Sequence, residues 1–287
     1  MSDVAIVIPH YNDVTRLLRC LAALIPQAEA YRAEVIVVDN SSSQSLEPLR
    51  VSYPGLRIVT EPLKGAAAAR NRGARDTTAA YLFFLDADCV PHPDWLETAL
   101  NIRSTADVVG GRVSVFDETP APRSGAEAFE TVFAFDNRGY VENKGFSVTA
   151  NLLTRRDVFE DVGEFVPGLS EDFDWCRRAT GKGYSLVYDD TLHVSHPTRS
   201  DWAALHRKWQ RINAESFGLI GTGVVARITW SLRGLAMPVS IVVHSMRILT
   251  TSRLHGMRER AAAFATLARL RIQRCGWMLR QALTGRA

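Results

Sequence analysis

The chain has 287 residues, 46% hydrophobic and 23% charged, so it is long and apolar enough to bury a large core. Its four cysteines are far apart and form no CxxC pair, which argues against a disulfide framework or a zinc site and favours a reducing compartment. The net charge of +3 conceals an asymmetry, because residues 1–198 carry 19 Lys and Arg against 28 Asp and Glu, whereas residues 199–287 carry 15 against 3.

The N-terminal part of the chain alternates short apolar runs with longer amphipathic ones. The short runs are rich in β-branched and aromatic residues and are bounded by turn residues, which predicts strands at 4–8, 34–39, 56–60 and 81–86. Helices are predicted at 13–28, with Asp13 as the N-cap, and at the alanine-rich stretch 65–76. This alternation predicts an α/β fold with a mostly parallel central sheet, whose strand ends meet at one edge.

Polar residues follow three of these predicted strands. They are Pro9 to Asn12, Asp39 to Ser43, and Asp86 to Asp88. Asp, Asn and Ser are also ordinary turn residues, so each group alone is equally consistent with a simple turn. Three polar groups at one edge of an apolar sheet favour a binding crevice.

Asp86 and Asp88 flank Ala87 directly after the apolar run YLFFL. If the strand extends through them, its alternation places both carboxylates on the same side, where they repel unless a cation lies between them. Mg²⁺ or Mn²⁺ suits such oxygen ligands. The alternative interpretation is that Asp88 only caps the turn that follows.

The pattern loosens after the fourth strand. Residues 106–116 are predicted to form a strand, residues 122–138 a helix, and residues 146–163 a strand leading into a short helix. Ser170 is the expected cap of a further helix that ends near Gly181 and opens with Glu171, Asp172 and Asp174. Acidic residues complement the dipole at a helix N-terminus, but three in four positions exceed what capping requires. A carboxylate there that faces the crevice is a candidate general base.

These motifs, in this order, resemble those of family 2 glycosyltransferases with the GT-A fold, a Rossmann-like sandwich. The matching stretches are VAIVIPHYN, VIVVDNSS, GAAAARNRG, FLDAD, TANLLTRR, SEDFDWCRRATGKGY and HVSHP. The resemblance implies a catalytic domain at 1–198, with a nucleotide-sugar-binding half at about 1–105 and an acceptor half at about 106–198. A helical, basic C-terminal region at 199–287 completes the expected organisation.

The resemblance also implies which residues contact the donor nucleotide. They are Pro9, Tyr11, Asp39, Lys64, Gly65, Ala68, Arg70, Asp86, Ala87 and Asp88. Asp39 is expected near the base, and the small residues at 65 and 68 permit close approach of the backbone. Arg70 and Asn71 have an alternative reading as part of a solvated helix face.

A divalent metal, Mn²⁺ or Mg²⁺, is the cofactor that the resemblance implies. Asp88 is its principal expected ligand, with Asp86 nearby, and His196 is the third candidate, with His193 as the alternative histidine. The metal offsets charge on the departing diphosphate.

The acidic pair Glu171 and Asp172 matches the catalytic pair of the family, and Asp172 is the expected base for in-line, inverting attack by an acceptor hydroxyl. Trp175 is either a sugar-stacking residue or a core aromatic. The segment from Thr149 to Asn151 resembles one that lies near donor sugar and acceptor.

The basic C-terminal region has the pattern of amphipathic helices. A helix is predicted at 199–218, and an apolar stretch of 16 residues, 234–249, is shorter than the about 20 residues of a bilayer span. Residues 253–287 interleave eight arginines with Leu and Trp. This pattern favours peripheral contact through 234–287 with the inner face of the plasma membrane. The alternative is packing on the catalytic domain or on a second subunit, so a homo-oligomer stays open; no nucleic-acid-binding module is recognisable.

The leading functional hypothesis is an inverting, metal-dependent transfer of sugar from a nucleoside-diphosphate sugar to a lipid-linked or glycan acceptor. The apolar run of the N-terminus is too short for a signal peptide, which favours a cytoplasmic enzyme. A sugar-nucleotide pyrophosphorylase is the second hypothesis, but the loop PHYND lacks the glycine-rich, basic character of that class. A non-catalytic membrane-attached scaffold is the third.

Overall fold

The chain packs as two units in a computed structural model that describes residues 3–168, 170–221 and 223–286. The first unit comprises the described residues up to Ser114 together with Asp136–His196. The second comprises Val115–Phe135 and the described residues from Pro197 onward. Residues 115–135, which the resemblance assigns to the acceptor half, therefore pack with the C-terminal helices.

Among the residues that the structure describes, eight strands form one sheet. Their bounds are β1 Val4–His10, β2 Glu34–Asp39, β3 Arg57–Thr60, β4 Tyr81–Leu85, β5 Val90–Pro91, β6 Val108–Phe116, β7 Asn151–Arg155 and β8 Leu186–Pro197. The order across the sheet is β3-β2-β1-β4-β7-β6-β8-β5. The strands from β3 to β4 in this order are parallel, whereas β7 runs antiparallel to both of its neighbours and β5 antiparallel to β8. The predicted α/β class is confirmed. The sheet is mixed, and its parallel strands, β1 to β4, all come from the N-terminal half of the chain.

Helices flank the sheet and build the second unit. Their bounds are α1 Val14–Tyr31, α2 Glu47–Ser52, α3 Ala66–Arg75, α4 Trp95–Ile102, α5 Gly125–Phe133, α6 Asn137–Lys144, α7 Arg156–Val162, α8 Glu171–Gly181, α9 Trp202–Ile220, α10 Val224–Thr250 and α11 Gly256–Thr284. The first begins where predicted, because the Asp13 side chain accepts a hydrogen bond from the Arg16 backbone N–H at 3.3 Å.

Helix α3 lies unusually close to the sheet at Gly73. A Cβ at this position would stand 2.4 Å from Val7 Cγ1 and 3.0 Å from Val38 Cγ2, so only glycine permits this approach to β1 and β2. The alanines on either side are buried as well. This close packing fixes α3 against the strands. It therefore also fixes the direction of the helical turn before Gly73, which carries Arg70.

The core of the second unit lies between α5, α9, α10 and α11, around Phe129, Leu205, Ile248 and Leu267. Glu130 on α5 is 2% exposed and binds both Arg199 and Lys208, at 2.9 and 2.8 Å. A buried carboxylate is stable only when it is paired in this way.

Helix α10 differs from its sequence-based prediction. It has 27 residues rather than the 16 of the apolar stretch, and it continues through Pro238. At 1.5 Å per residue such a helix exceeds the roughly 30 Å of a hydrocarbon core, so the expectation that it is too short to span is wrong. Among the described residues, it is the one helix long and apolar enough to cross a membrane by length and composition.

One face of α10 is apolar and uncovered. More than half of each of these side chains is exposed: Val224, Val225, Ile228, Leu232, Leu235, Val239, Val242, Val243, Met246 and Leu249. The opposite face packs on α11, where Gly234 lies against Met278. An apolar surface of this extent is typical of sites that contact a membrane or another protein.

Candidate active site

The polar residues that follow β1 and β2 are hydrogen-bonded to each other. The parallel register sets His10 beside Asp39, and the His10 Nδ1 atom lies 3.2 Å from Asp39 Oδ1. The other Asp39 oxygen accepts from the Ser42 N–H at 3.2 Å, and Asn12 Oδ1 accepts from the Ser43 N–H at 2.8 Å. The two strand ends therefore form one connected edge, as the sequence pattern predicts.

Asn40 organises the loop that precedes α3, a role that the sequence reasoning missed. Its side-chain N–H₂ donates to the carbonyls of Glu61 and Leu63 at 2.9 and 2.7 Å, and its Oδ1 accepts from the Gly65 N–H at 2.7 Å. The side chain is buried, so these three bonds hold the loop on the end of β2. The stretch DNSS predicts only local turn bonds, whereas the partners of Asn40 lie 21 to 25 residues further along the chain, so no local pattern announces this role.

The expected nucleotide-contacting residues lie along this edge with different exposures. Tyr11 is 55% exposed, and Pro9 next to it is partly buried. Lys64 and Gly65 are exposed on the loop that Asn40 holds, whereas Ala68 is buried one turn into α3. Gly65 has a φ of +122°, a conformation that favours glycine at the start of this helix.

Asp86, Ala87 and Asp88 form a turn rather than a continuation of β4. The strand ends at Leu85, and the Cys89 N–H donates to the Asp86 carbonyl at 3.0 Å. The expectation that the two carboxylates share one side of an extended strand is therefore wrong. They point to different partners instead, and this separation relieves their repulsion.

Arg70 connects Asp86 to the acidic helix. Its guanidinium donates to Asp86 Oδ1 and, at 2.8 Å, to Glu171 Oε1, and only 3% of the residue is exposed. Burial alone lowers the pKa of Arg70, but the charges of Asp86 and Glu171 more than offset this and raise it. The alternative reading of Arg70 as part of a solvated helix face is wrong.

Asp88 meets His196. The antiparallel pairing of β5 with β8 sets Val90 opposite Ser195 and brings His196 Nε2 to 3.2 Å from Asp88 Oδ2. The alternative histidine, His193, instead lies 2.7 Å from Ser114 Oγ and stacks on His92. Of the two histidines, His196 is the one beside the aspartate pair.

These donors fit a divalent cation that shares its coordination with a ligand. No group of three His, Cys, Asp or Glu side chains that could enclose a metal occurs among the described residues. Asp88 and His196 supply one oxygen and one nitrogen side by side, and Asp86 is occupied by Arg70. Mg²⁺ is commonly held by one or two carboxylates together with substrate phosphates. A full protein cage is therefore not needed for the expected cofactor.

Asp172 is the second residue of helix α8 and follows Glu171, which belongs to this bridge. Burial raises its pKa, and the charge of Glu171 raises it further, while the Phe173 N–H, the Ser170 hydroxyl and Arg70 act in the opposite direction. The Phe173 N–H and the Ser170 Oγ donate to Asp172 Oδ1 at 2.8 and 3.1 Å. These bonds fix one oxygen and leave the other for a further partner. A carboxyl with a raised pKa is a stronger base once it is ionised.

The segment before α8 is attached to α3 by Asn71. Its side chain donates to the Phe165 carbonyl at 2.8 Å and accepts from the Phe165 N–H at 2.9 Å. Asn71 is buried, so it too is not part of a solvated face. This two-way bond links the helix that carries Arg70 to the segment that leads to Glu171 and Asp172.

Trp175, one candidate for sugar stacking, and Asn151, in the segment that the resemblance brings near the sugar, are both buried. Trp175 is fully buried against Phe159 and Phe165, so it is a core aromatic and not a sugar-stacking residue. Asn151 is also fully buried, where it accepts from Trp95 Nε1 at 2.9 Å and donates to the Leu192 carbonyl at 2.8 Å.

Comparison with known proteins identifies similar sequences and folds. The sequence profile of the family described as Glycosyl transferase family 2 matches residues 5–163. The chain is 35% identical to the glycosyltransferase AglE of Haloferax volcanii over 208 residues, which cover 68% of this chain and 67% of that protein. It is 29% identical to a pre-mycofactocin glycosyltransferase of Mycobacterium tuberculosis, over 70% of this chain but 45% of that protein.

The fold resembles that of a solved mannosyltransferase, PcManGT of Pyrobaculum calidifontis, in complex with GDP-Man and Mn²⁺. The TM-score is 0.61 at 16% sequence identity, and the similarity covers 99% of this chain and 88% of that one. At this identity the likeness concerns the fold. The sequence and fold comparisons together support glycosyl transfer over the pyrophosphorylase and scaffold hypotheses.

Proposed function

Because this chain belongs to glycosyltransferase family 2, we propose that it transfers a sugar, with inversion, from a nucleoside-diphosphate sugar to a hydroxyl of a lipid-linked or glycan acceptor. The observation that carries the proposal is the convergence on Arg70, which joins Asp86 at the sheet edge to Glu171 at the start of α8. This bridge joins the sheet edge that is proposed to face the nucleotide to the acidic start of α8. Inverting transfer needs such an arrangement, with a donor pocket on one side and a base on the other.

Asp172 is the proposed base. As the acceptor oxygen forms its bond to the anomeric carbon, its proton passes to the Asp172 carboxylate, and the bond from that carbon to the donor phosphate oxygen breaks. The electron pair of that bond leaves with the nucleoside diphosphate. Since attack and departure occur on opposite faces, the anomeric configuration inverts. Glu171, held by Arg70, is a positioning residue in this proposal.

Asp88 and His196 are the proposed holders of a divalent cation, Mn²⁺ or Mg²⁺. Such an ion, when bound, stabilises the negative charge that develops on the leaving diphosphate. Arg70 stays with its two carboxylates and holds the Asp86 side chain in place at the sheet edge. Asp39 is the proposed partner for the base or ribose, since its two oxygens are oriented by His10 and the Ser42 N–H.

Mn²⁺ should raise the nucleotide affinity of the wild type by about tenfold or more, because even residues that only support metal ligands contribute 10–100-fold to metal affinity or activity. We expect Asp88→Ala to abolish this gain. The measurement is isothermal titration of the wild type and the variant with UDP and GDP, with and without Mn²⁺. Asp94→Ala is the matched control, since Asp94 forms a similar Asp–His pair with His92 at 2.6 Å but in solvent. Equal nucleotide affinity of the wild type with and without Mn²⁺ would refute the metal assignment.

Membrane contact is the second part of the proposal. The uncovered apolar face of α10 and the charge of residues 199–287, with 15 Lys and Arg against 3 Asp and Glu, suit an anionic bilayer surface. This contact would hold the enzyme at the cytoplasmic face of a membrane, where lipid-linked acceptors are found.

The variant Val239→Asn/Val243→Asn should be released from anionic vesicles, because both valines are about two-thirds exposed on the apolar face of α10. Each polar replacement removes roughly 1.5–3 kcal/mol of apolar burial in the bilayer. Co-sedimentation with phosphatidylglycerol vesicles measures the effect. Asparagine at Val51 and Val166, two exposed valines of the first unit, is the control, and an equal loss in that control would contradict a specific role of α10.

A further inference from the structure

Two arginines of α11 lie partly buried without a carboxylate partner. Arg271 and Arg274 are one turn apart, and neither forms an ion pair in the part of the chain that the structure describes. The Arg271 Nη1 atom contacts Met237 Sδ of α10 at 3.2 Å. The Arg274 guanidinium stacks on the Trp209 ring of α9 at 4.5 Å. Three helices of the second unit therefore meet around a pair of like charges.

Hydrogen-bonding capacity is also left over at this place. The Nε of Arg274 and the Nε1 of Trp209, which belong to the stacked pair, are buried and have no hydrogen-bond partner. Burial lowers the pKa of Arg274 to about 10, and the charge of Arg271 contributes in the same direction. A buried donor without an acceptor, and a cation withdrawn from water without an anion, each destabilise the fold.

The other partly buried cations that the structure describes in this unit donate to oxygen acceptors, which are backbone carbonyls for Arg227 and Arg260 and carboxylates for the residues that follow. Lys208 donates to the buried Glu130, and Arg123 binds both Asp117 and Glu259, at 2.6 and 3.1 Å. The pair at 271 and 274 departs from this rule. Such a departure is typical of a site whose anion comes from outside the chain.

We propose that Arg271, Arg274 and Trp209 form a phosphate-binding site, and that the phosphate belongs to a membrane lipid. A guanidinium offers two parallel N–H donors that match the oxygens of a phosphate, and its charge strengthens both bonds. Met237 lies on the side of α10 that packs on α11, so the lipid source is argued from the second unit as a whole. This unit carries the uncovered apolar face of α10 and, in residues 199–287, 15 Lys and Arg against 3 Asp and Glu. The site lies in the second unit and does not depend on the proposed transfer reaction.

The first test compares thermal unfolding of the full chain in inorganic phosphate and in chloride at equal ionic strength. The wild type should unfold at a higher temperature in phosphate, because a ligand that binds only the folded state stabilises it. In Arg271→Gln/Arg274→Gln this rise should disappear, while the variant without phosphate should be at least as stable as the wild type, since two unneutralised buried charges are gone. Arg274→Lys, which keeps the charge but loses the planar fork, should show a reduced rise.

The second test distinguishes the lipid from free phosphate. Phosphatidylcholine vesicles containing phosphatidic acid should bind the wild type about tenfold more tightly than the double variant, the loss expected for a charge-assisted hydrogen bond. Arg258→Gln/Arg280→Gln is the matched control, because it removes the same charge from exposed positions of the same helix. A rise in unfolding temperature with inorganic phosphate but no preference for phosphatidic acid would support the site and overturn the lipid source.

One result would overturn the site itself: a rise in unfolding temperature with phosphate that is absent from the wild type, or that is the same in the wild type and in Arg271→Gln/Arg274→Gln. An equal loss of vesicle binding in the Arg258→Gln/Arg280→Gln control would overturn the lipid source, because it would reduce the vesicle effect to net charge.

Discussion

Asp172→Asn should lower the rate of sugar transfer by about 10²–10⁴-fold and leave donor affinity nearly unchanged, since general-base catalysis contributes this much to such reactions. The amide keeps the shape of the side chain and can still accept from the Phe173 N–H and the Ser170 hydroxyl, so the start of α8 is preserved. What it loses is the ability to take the proton of the acceptor. Turnover with a nucleoside-diphosphate sugar, paired with calorimetric titration of the nucleotide, separates the two effects.

The pH dependence gives this experiment a second readout. Because burial and Glu171 raise the pKa of Asp172, the wild-type rate should fall as the pH drops through that raised value, where the base becomes protonated. The variant should lack this acidic limb. Asp174→Asn is the control on the same helix, since Asp174 pairs with Arg178 at 2.9 Å. Unchanged turnover in Asp172→Asn would remove this residue from the mechanism.

Arg70→Gln should destabilise the first unit by about 3–5 kcal/mol, the usual effect of removing one partner from a buried ion pair. Asp86 and Glu171 would be left close together without the cation that both contact. Arg70→Lys should also destabilise, because a single ammonium group cannot reproduce the two-sided fork that joins the carboxylates. Urea unfolding measures both changes.

Arg72→Gln is the matched control for this prediction. Arg72 lies on the same helix and pairs with Asp76 four residues later at 3.0 Å, but 39% of its side chain is exposed. Exposed pairs of this kind contribute about 0.3–0.5 kcal/mol. If Arg70→Gln were no more destabilising than Arg72→Gln, the bridge would not stabilise the first unit. The proposal that Arg70 orients Asp86 and Glu171 would then be contradicted.

Local patterns were sufficient to predict much of the fold. The strand at 34–39 and the cap at Asp13 coincide with the observed elements, because apolar β-branched runs and N-capping are determined by neighbours in sequence. The strand end at Asp86 was missed, because a turn and an extended strand can both accommodate the residues of Asp86–Ala87–Asp88. The hydrogen bond from Cys89 to Asp86 decides between them, and no local pattern announces it.

Long-range contacts explain the remaining differences. Glu171 lies 101 residues beyond Arg70 in the sequence. The alanine-rich sequence of α3 alone therefore does not reveal that Arg70 is buried against Glu171. The extent of α10 was underestimated because Pro238 suggested an interruption, whereas the packing of α10 on α11 stabilises a helix through it. Conversely, the proximity of His196 to Asp88 agrees with the motif resemblance and arises from the pairing of β5 with β8.

The most direct measurement is anomalous diffraction at the manganese edge from a crystal soaked with a nucleoside diphosphate and Mn²⁺. We expect one strong peak within coordination distance of Asp88 and His196, with the diphosphate completing the ion's ligands. A bound nucleotide with the manganese elsewhere, and with residues 86 and 88 facing away from both, would contradict the account.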